Sequence, residues 1–320
     1  MGAVLAFAVR RLVQMVLSLW AAVTLVFLAV TQLPGDPVRA LFGFQPPPPE
    51  LYARIREEYR LDEPLPVQYG LYLRDLLTGD WGRGLPPNPS ASTVAGPAVV
   101  DVVAVTAPVS AVLLAGAVVV QLVVGVLAGA LAAGGRWRGA GVQVAAMLLV
   151  GTPVVVAAYL LRLVFVQELR WVPFSGASGG PAGYVLPVVA LAALSTGYVA
   201  LITRAEVRDT LRAPFVRAAY GRGLVPWRVV GVHALRPALT PVVTFVAANV
   251  GQLFVGLVVV EGVFGMPGIG NAILRSIQGH DRAMLVGLTT VVIAAVIVVN
   301  AIADVAAAAI DPRVRLGPVT

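Results

Sequence analysis

The side chains able to do polar chemistry inside the apolar stretches of this 320-residue chain are few. Asn249 and Gln252 are three residues apart, so a helix presents them on one face, with Gly256 one turn further on. Their amides can line a polar path through a helical bundle or hydrogen-bond to a neighbouring helix. For this pair the path is the favoured role. Gln121 and Asn300 stand alone in two other apolar runs, and there interhelical hydrogen bonding is favoured. Glu261 ends an apolar run just before a Gly-rich stretch, which its carboxylate can cap. Other chemistries are excluded by absence. With no cysteine there is no thiol nucleophile, disulfide, zinc thiolate or iron–sulfur cluster. His233 and His280 are far apart, and His280 beside Asp281 makes a weak metal site. Every basic residue is arginine, so the lysine of a nucleotide-binding Walker A loop is missing. If ATP drives this protein, another chain binds the ATP.

The elements that position these residues follow from composition. Hydrophobic residues make up 58% of the chain and charged residues 12%, and mean hydropathy is +0.87. Soluble domains carry about 25% charge, so the solvent for most of this surface is lipid. A bilayer core of about 30 Å takes about 20 apolar helical residues. Six runs qualify: 12–33, 102–133, 140–166, 184–203, 239–260 and 283–308. The first exceeds the h-region of a signal peptide and lacks a small-residue cleavage site, so it reads as an uncleaved anchor. Pro153 and Pro241 kink or start helices, and Gly125 and Gly129 read as close-packing points. Arg162 and Asp304 lie near span ends, where snorkelling suffices.

The predicted class is an all-α polytopic membrane protein with six transmembrane helices. Arg10, Arg11, Arg136, Arg138, Arg313, Arg315 and seven arginines in 204–238 fall on one side, which places both termini in the cytoplasm. Topology accounts for the net charge of +7, so no nucleic-acid partner is needed. The expected organisation is 1–33, the first segment and span; 34–101, external; 102–310, a five-helix core; and 311–320, a cytoplasmic tail.

Two segments between spans carry information. In 34–101, Leu51, Ile55 and Tyr59 recur every four residues, and Tyr69, Tyr72, Leu73 and Leu76 form a second stripe. Short helices are expected there, as a cap over the bundle or a dock for a partner. The stretch 204–238 is too long for a helix–helix turn and is punctuated by Pro214, Gly223 and Pro226. Two or three short helices lying under the membrane are expected. Composition leaves lipid-headgroup contact and docking of a cytoplasmic partner evenly matched.

This segment resembles the cytoplasmic loop of binding-protein-dependent ABC importer permeases, with Arg217-Ala218-Ala219, then Gly223 and Leu235 in register. Arg217, His233 and Arg236 depart from the general E-A-A pattern but are typical of the peptide/nickel branch. Other stretches fit that branch in order. They include Leu33-Pro34-Gly35-Asp36-Pro37, Tyr59-Arg60-Leu61-Asp62, Gly79-Asp80-Trp81-Gly82, the run Glu261 to Gly270, and Asp311-Pro312-Arg313. The long external segment is similar to that of a B-type permease of dipeptide or oligopeptide systems.

The resemblance implies a type I importer fold in a bacterial inner membrane. It implies a second homologous permease as a heterodimer partner, two ATPase subunits that hold ATP and magnesium, and an extracytoplasmic solute-binding protein. This chain itself would hold no cofactor and no catalytic residue. By resemblance, Arg217, Ala218, Ala219, Tyr220, Gly221, Arg222 and Gly223 form the coupling element. Small Ala218 and Ala219 would let it approach an ATPase, and Arg217 and Arg222 would pair with acids there. From the polar residues of the spans themselves, Asn249, Gln252 and Glu261 are the pathway candidates, and for Glu261, which could meet a peptide's amino group, capping of the Gly-rich loop is the favoured role. Nickel, haem or another small solute is the alternative cargo. An ATP-independent secondary transporter is the rival of another class, although the spans lack the central charges it needs.

Overall fold

The computed structural model describes residues 2–310 except Phe44, Asn88, Ala91, Ser92 and 173–176. The tail 311–320, including Asp311-Pro312-Arg313 and Arg315, lies outside the described residues, as do the side chains of Arg136, Arg138 and Asp304.

The described regular structure is helical. It begins with α1 (Gly2–Thr31), α2 (Pro37–Leu41), α3 (Pro49–Glu58) and α4 (Leu65–Thr78). Then come α5 (Val99–Ala133), α6 (Arg136–Gly151), α7 (Val154–Leu161) and α8 (Val185–Leu211). Further along lie α9 (Pro214–Gly221), the single turn α10 (Pro226–Arg228), α11 (Leu235–Phe264), α12 (Ile269–Gln278) and α13 (Arg282–Ile310), with tighter or wider helical turns at Arg162–Glu168, Ala177–Tyr184 and Val229–Ala234. Among the described residues, five helices are long and apolar enough to cross a membrane, or six if the bent pair Gly139–Gly151 and Val154–Glu168 counts as one span.

That pair fills the expected run 140–166 as two helices, the second starting behind Pro153, where a kink or a helix start was expected. The two halves are bent by 103°. Thr152 takes an extended conformation (ψ 116) before Pro153, because the proline ring disfavours helical geometry in the residue ahead of it. The fourth span differs, running to Leu211 instead of 203. Thr203, Val207 and Leu211 continue one helical face, and Val207 packs with Ala234 and Ala238. Arg204 and Arg208 are therefore helical residues, not loop residues.

The chain divides into two compact units. One holds Met1–Val109 and Pro267–Ile297. Its core joins Phe27 and Val30 of α1, Ile269 and Ile273 of α12, and Leu285 and Leu288 of α13. The expected stripe of α4 lies on it, with the Tyr69 and Tyr72 rings 5.3 and 5.5 Å from Phe27. Tyr72 also shares a 2.6 Å hydrogen bond with Thr290. The other predicted stripe buries Ile55 with Val38 and Leu85 in a second small core, where burial of one such aliphatic side chain contributes about 1.5–3 kcal/mol. Asp36 caps α2 by accepting from the Val38 N–H at 2.9 Å and also accepts from Tyr52 Oη at 2.5 Å. Asp281 accepts from the backbone of Leu85 and Met284, at 2.7 and 3.0 Å.

The second unit holds Ser110–Met266 and Val298–Thr320. Lipid offers helices no hydrophobic drive to associate, so close approach must supply the packing. Glycines on α5 provide it. A β-carbon on Gly125 would meet Val199 at 2.7 Å, and one on Gly129 would meet the Ala200 carbonyl at 2.5 Å. Contacts advance along both helices from Gly116–Val188 to Gly129–Thr203, so α5 and α8 run parallel. Helix α11 packs on α8 through Val199, Val242 and Val246.

Candidate functional site: the exposed face of α9

Helix α9 is built by short-range signals. Ala213 is extended (ψ 146) and Pro214 opens the helix, where a missing N–H costs nothing. Gly223 ends it at φ +79. The Gly223 N–H donates to the Tyr220 carbonyl at 2.9 Å and the Leu224 N–H to the Ala219 carbonyl at 3.3 Å. This pair of bonds is a Schellman cap, with Gly223 in the left-handed position that glycine favours.

One face of α9 is inward. Val216 and Ala219 are buried against Val229, Leu211 and Leu224. The expectation that Ala219 meets a partner's surface thus has a different outcome, because this methyl fills the chain's own packing. Ala218 is exposed, together with Arg217, Gly221, Arg222 and Gly223. Phe215 and Tyr220 are 52% and 43% exposed on the same helix, and Trp227, just beyond it, is 75% exposed.

The charge on this face is positive. Arg217 donates to the carbonyl of Arg212 at 3.3 Å, tying α9 to the end of α8. Among the described residues, none of Arg212, Arg217, Arg222 and Arg228 pairs with a carboxylate. The result is a short helix that presents aromatic rings together with guanidiniums that have no carboxylate partner among the described residues. Such a surface suits an acidic groove on another protein, because arginine and aromatic side chains supply most anchors at protein interfaces.

The pathway candidates all lie on α11. Asn249 donates to Ser195 Oγ at 2.8 Å, which makes it a tie between α11 and α8. Gln252 is exposed. Glu261 is wholly buried and accepts from Ser110 Oγ at 2.6 Å. Its carbonyl also caps the Gly265 turn, accepting from the Met266 N–H at 2.9 Å. The three therefore have different surroundings on α11, a hydrogen bond to α8, an exposed face and a buried hydrogen bond to α5. Gln121 is wholly buried, and neither of its amide atoms has a partner among the described residues; the Asn300 carbonyl oxygen is likewise unpartnered. Arg162 donates its guanidinium to the Val263 carbonyl at 2.6 Å, near the end of α11. Among the described residues no cluster of His, Asp and Glu is arranged to hold a metal.

Two polar ties escaped the sequence. Ser195, in an apolar run, gave no signal beyond being polar there. Arg204 donates to Gln143 Oε1 at 2.7 Å across 61 residues of chain, and no local pattern announces that pair.

Comparison with known proteins agrees with the motifs. The family profile described as "Binding-protein-dependent transport system inner membrane component" matches residues 121–316. Its N-terminal companion, "Binding-prot-dependent transport system membrane comp, N-term", matches 4–113. The oligopeptide transport system permease protein OppB of Haemophilus influenzae is 36% identical over 315 residues, covering 97% of this chain and 99% of the relative. OppB of Escherichia coli K12 is 35% identical over the same coverage, and a putative peptide permease protein of Brucella ovis is 31% identical over 325 residues. With its motifs in order, its helices apolar and long enough to span, and its whole length matched, this chain belongs to the inner-membrane permease components of binding-protein-dependent ABC transport systems.

Proposed function

We propose that this permease imports di- or oligopeptides. The curated relatives named for oligopeptide or peptide transport match it from end to end. As a component of a binding-protein-dependent system, the chain works with an ATPase and a binding protein. The finer assembly is a heterodimer with a second, homologous permease, beneath which two ATPase subunits bind ATP and magnesium. Both termini face the cytoplasm by the arginine distribution, and 34–101 faces the binding protein.

The observation that carries the coupling role is the exposed face of α9. ATP-driven closure of the ATPases moves this helix. The Schellman cap and the buried Val216 and Ala219 transmit the motion into α8 and α11, and the spans alternate between inward-open and outward-open. Ala218 and Gly221 supply close approach, and Arg217 and Arg222 supply charge. Asn249, Gln252 and Glu261 are the proposed pathway residues, in a conformation in which Asn249 has left Ser195 and Glu261 has left Ser110.

Reconstitution of the complex with its binding protein tests this reading. ATP-dependent uptake of labelled di- and oligopeptides is the expected result. Uptake of nickel or haem without peptides would reassign the cargo, and peptide uptake without ATP would reinstate a secondary transporter.

A further inference from the structure

A cavity of about 720 Å3 lies within the first unit, a size that accommodates small ligands. Its wall is partly aromatic, with Phe27, Tyr59, Tyr72 and Trp81, and partly charged. Most of the charge is already engaged. Asp36 holds Tyr52 and Arg56, Asp75 holds Arg74, and Asp80 holds the Gly82 N–H. Arg282 donates to the carbonyls of Leu33 and Gly35. Arg60 and Arg83 are different. Both line the cavity, and neither guanidinium has a hydrogen-bond or carboxylate partner among the described residues. Arg83 is close enough to the Tyr59 phenol to act on it electrostatically.

The backbone singles out Arg60 further. Its φ is +50. The Arg60 N–H donates to the Glu57 carbonyl at 3.1 Å and the Leu61 N–H to the Arg56 carbonyl at 3.0 Å. These bonds make a Schellman cap on α3, with Arg60 in the position that glycine normally fills. A β-carbon is unfavourable in this conformation, so the segment itself would be better served by glycine. Arg60 therefore carries local backbone strain and presents an exposed guanidinium to the cavity.

We infer that this cavity binds the C-terminal carboxylate of a short peptide through Arg60 and Arg83. Planar guanidiniums match a carboxylate with paired N–H donors. The aromatic wall takes apolar side chains. Glu58 and Glu63 also line the cavity without a carboxylate-neutralising partner, which disfavours a polyanion and suits a zwitterion. The inference rests on the peptide cargo and the outward orientation proposed above, and adds to them a receiving site ahead of the spans.

The test is equilibrium binding of tritiated tri-alanine to the complete transporter in nanodiscs, without its binding protein. Tri-alanine and its C-terminal amide serve as competitors. The amide is expected to compete about tenfold more weakly, the loss of one charge-assisted contact. Arg60→Gly should erase that difference without lowering the thermal midpoint, since glycine suits the turn, and Arg83→Gln should weaken binding of the acid alone. The inference is overturned if the wild type does not bind, if acid and amide compete equally, or if both variants bind as the wild type does. Uptake of tri-alanine once the binding protein is restored would leave the peptide reading standing after any of these results. No peptide uptake at all would remove both.

Discussion

Ser110 donates its hydroxyl to Glu261 Oε1 at 2.6 Å, joining α5 to the C-terminal end of α11, with the carboxyl wholly buried. A buried acceptor that loses such a donor costs about 1–3 kcal/mol. Ser110→Ala should therefore lower the stability of the purified protein by about that amount, read as denaturation in detergent, while the range of imported solutes is unchanged. A changed solute range at unchanged stability would make Glu261 a pathway group in this conformation as well.

Neighbouring alanines on α9 should respond differently to the same change. Ala219 is buried with Val216 and Val229, so Ala219→Glu forces a carboxylate into apolar packing and should destabilise by about 2 kcal/mol or more. Ala218 is exposed. Ala218→Glu should leave thermal stability within about 0.5 kcal/mol of the parent and abolish transport. Parallel thermal and uptake assays on both variants separate packing from coupling.

Helix α5 can lie against α8 only without side chains at its glycines. Gly129→Ala would set a methyl 2.5 Å from the Ala200 carbonyl, and overpacking of this kind costs about 1–3 kcal/mol. Gly134→Ala, where nothing lies within 4 Å, is the control and should be near neutral. Thermal unfolding of the two variants is the measurement.

The spans were legible because each is a long apolar run, and α3 and α4 because Leu51, Ile55, Tyr69 and Tyr72 repeat at helical spacing. Pro153 announced a disturbance but not its size, since a 103° bend depends on where the two halves pack. The overrun of α8 was hidden because Val207 is only one apolar residue among charged ones, and its burial depends on Ala234 and Ala238, far along the chain. In the site, Pro214 and Gly223 foretold both ends of α9. Which alanine faces outward was not foretold, because Val229 decides it from outside the motif. The ties of Asn249 to Ser195 and Arg204 to Gln143 span 54 and 61 residues, beyond any local pattern.

Two aspartates of the first unit should act oppositely on stability as pH changes. Burial pushes the Asp36 carboxyl up, but Tyr52, the Arg39 and Val38 N–H groups and the Arg56 charge outweigh it and hold it below the ordinary 3.8. Its contribution is complete above that value and is lost as pH falls through the lowered folded value. Burial raises Asp281 above 3.8, and the N–H groups of Met284 and Leu85 offset this only in part. Its contribution is complete below the unfolded value and is lost as pH rises through the raised folded value. Thermal scans from about pH 3 to about pH 6 should show Asp36→Asn removing an acid-side loss and Asp281→Asn removing a loss on the rising side.

If the exposed face of α9 meets the ATPase, as proposed, it can be trapped there chemically. The chain has neither cysteine nor lysine, which permits an unusually clean test. A maleimide–succinimidyl ester reagent attached at Ala218→Cys can react onward with lysines of a partner but with no side-chain amine of this chain. Membranes containing the whole transporter should yield an adduct between Ala218→Cys and the ATPase subunit, whereas Leu77→Cys, at a residue 88% exposed on α4, should yield none. An ATPase that co-purifies with the permease yet forms no adduct from Ala218→Cys, or forms it equally from Leu77→Cys, would contradict the assignment of α9 as the coupling element.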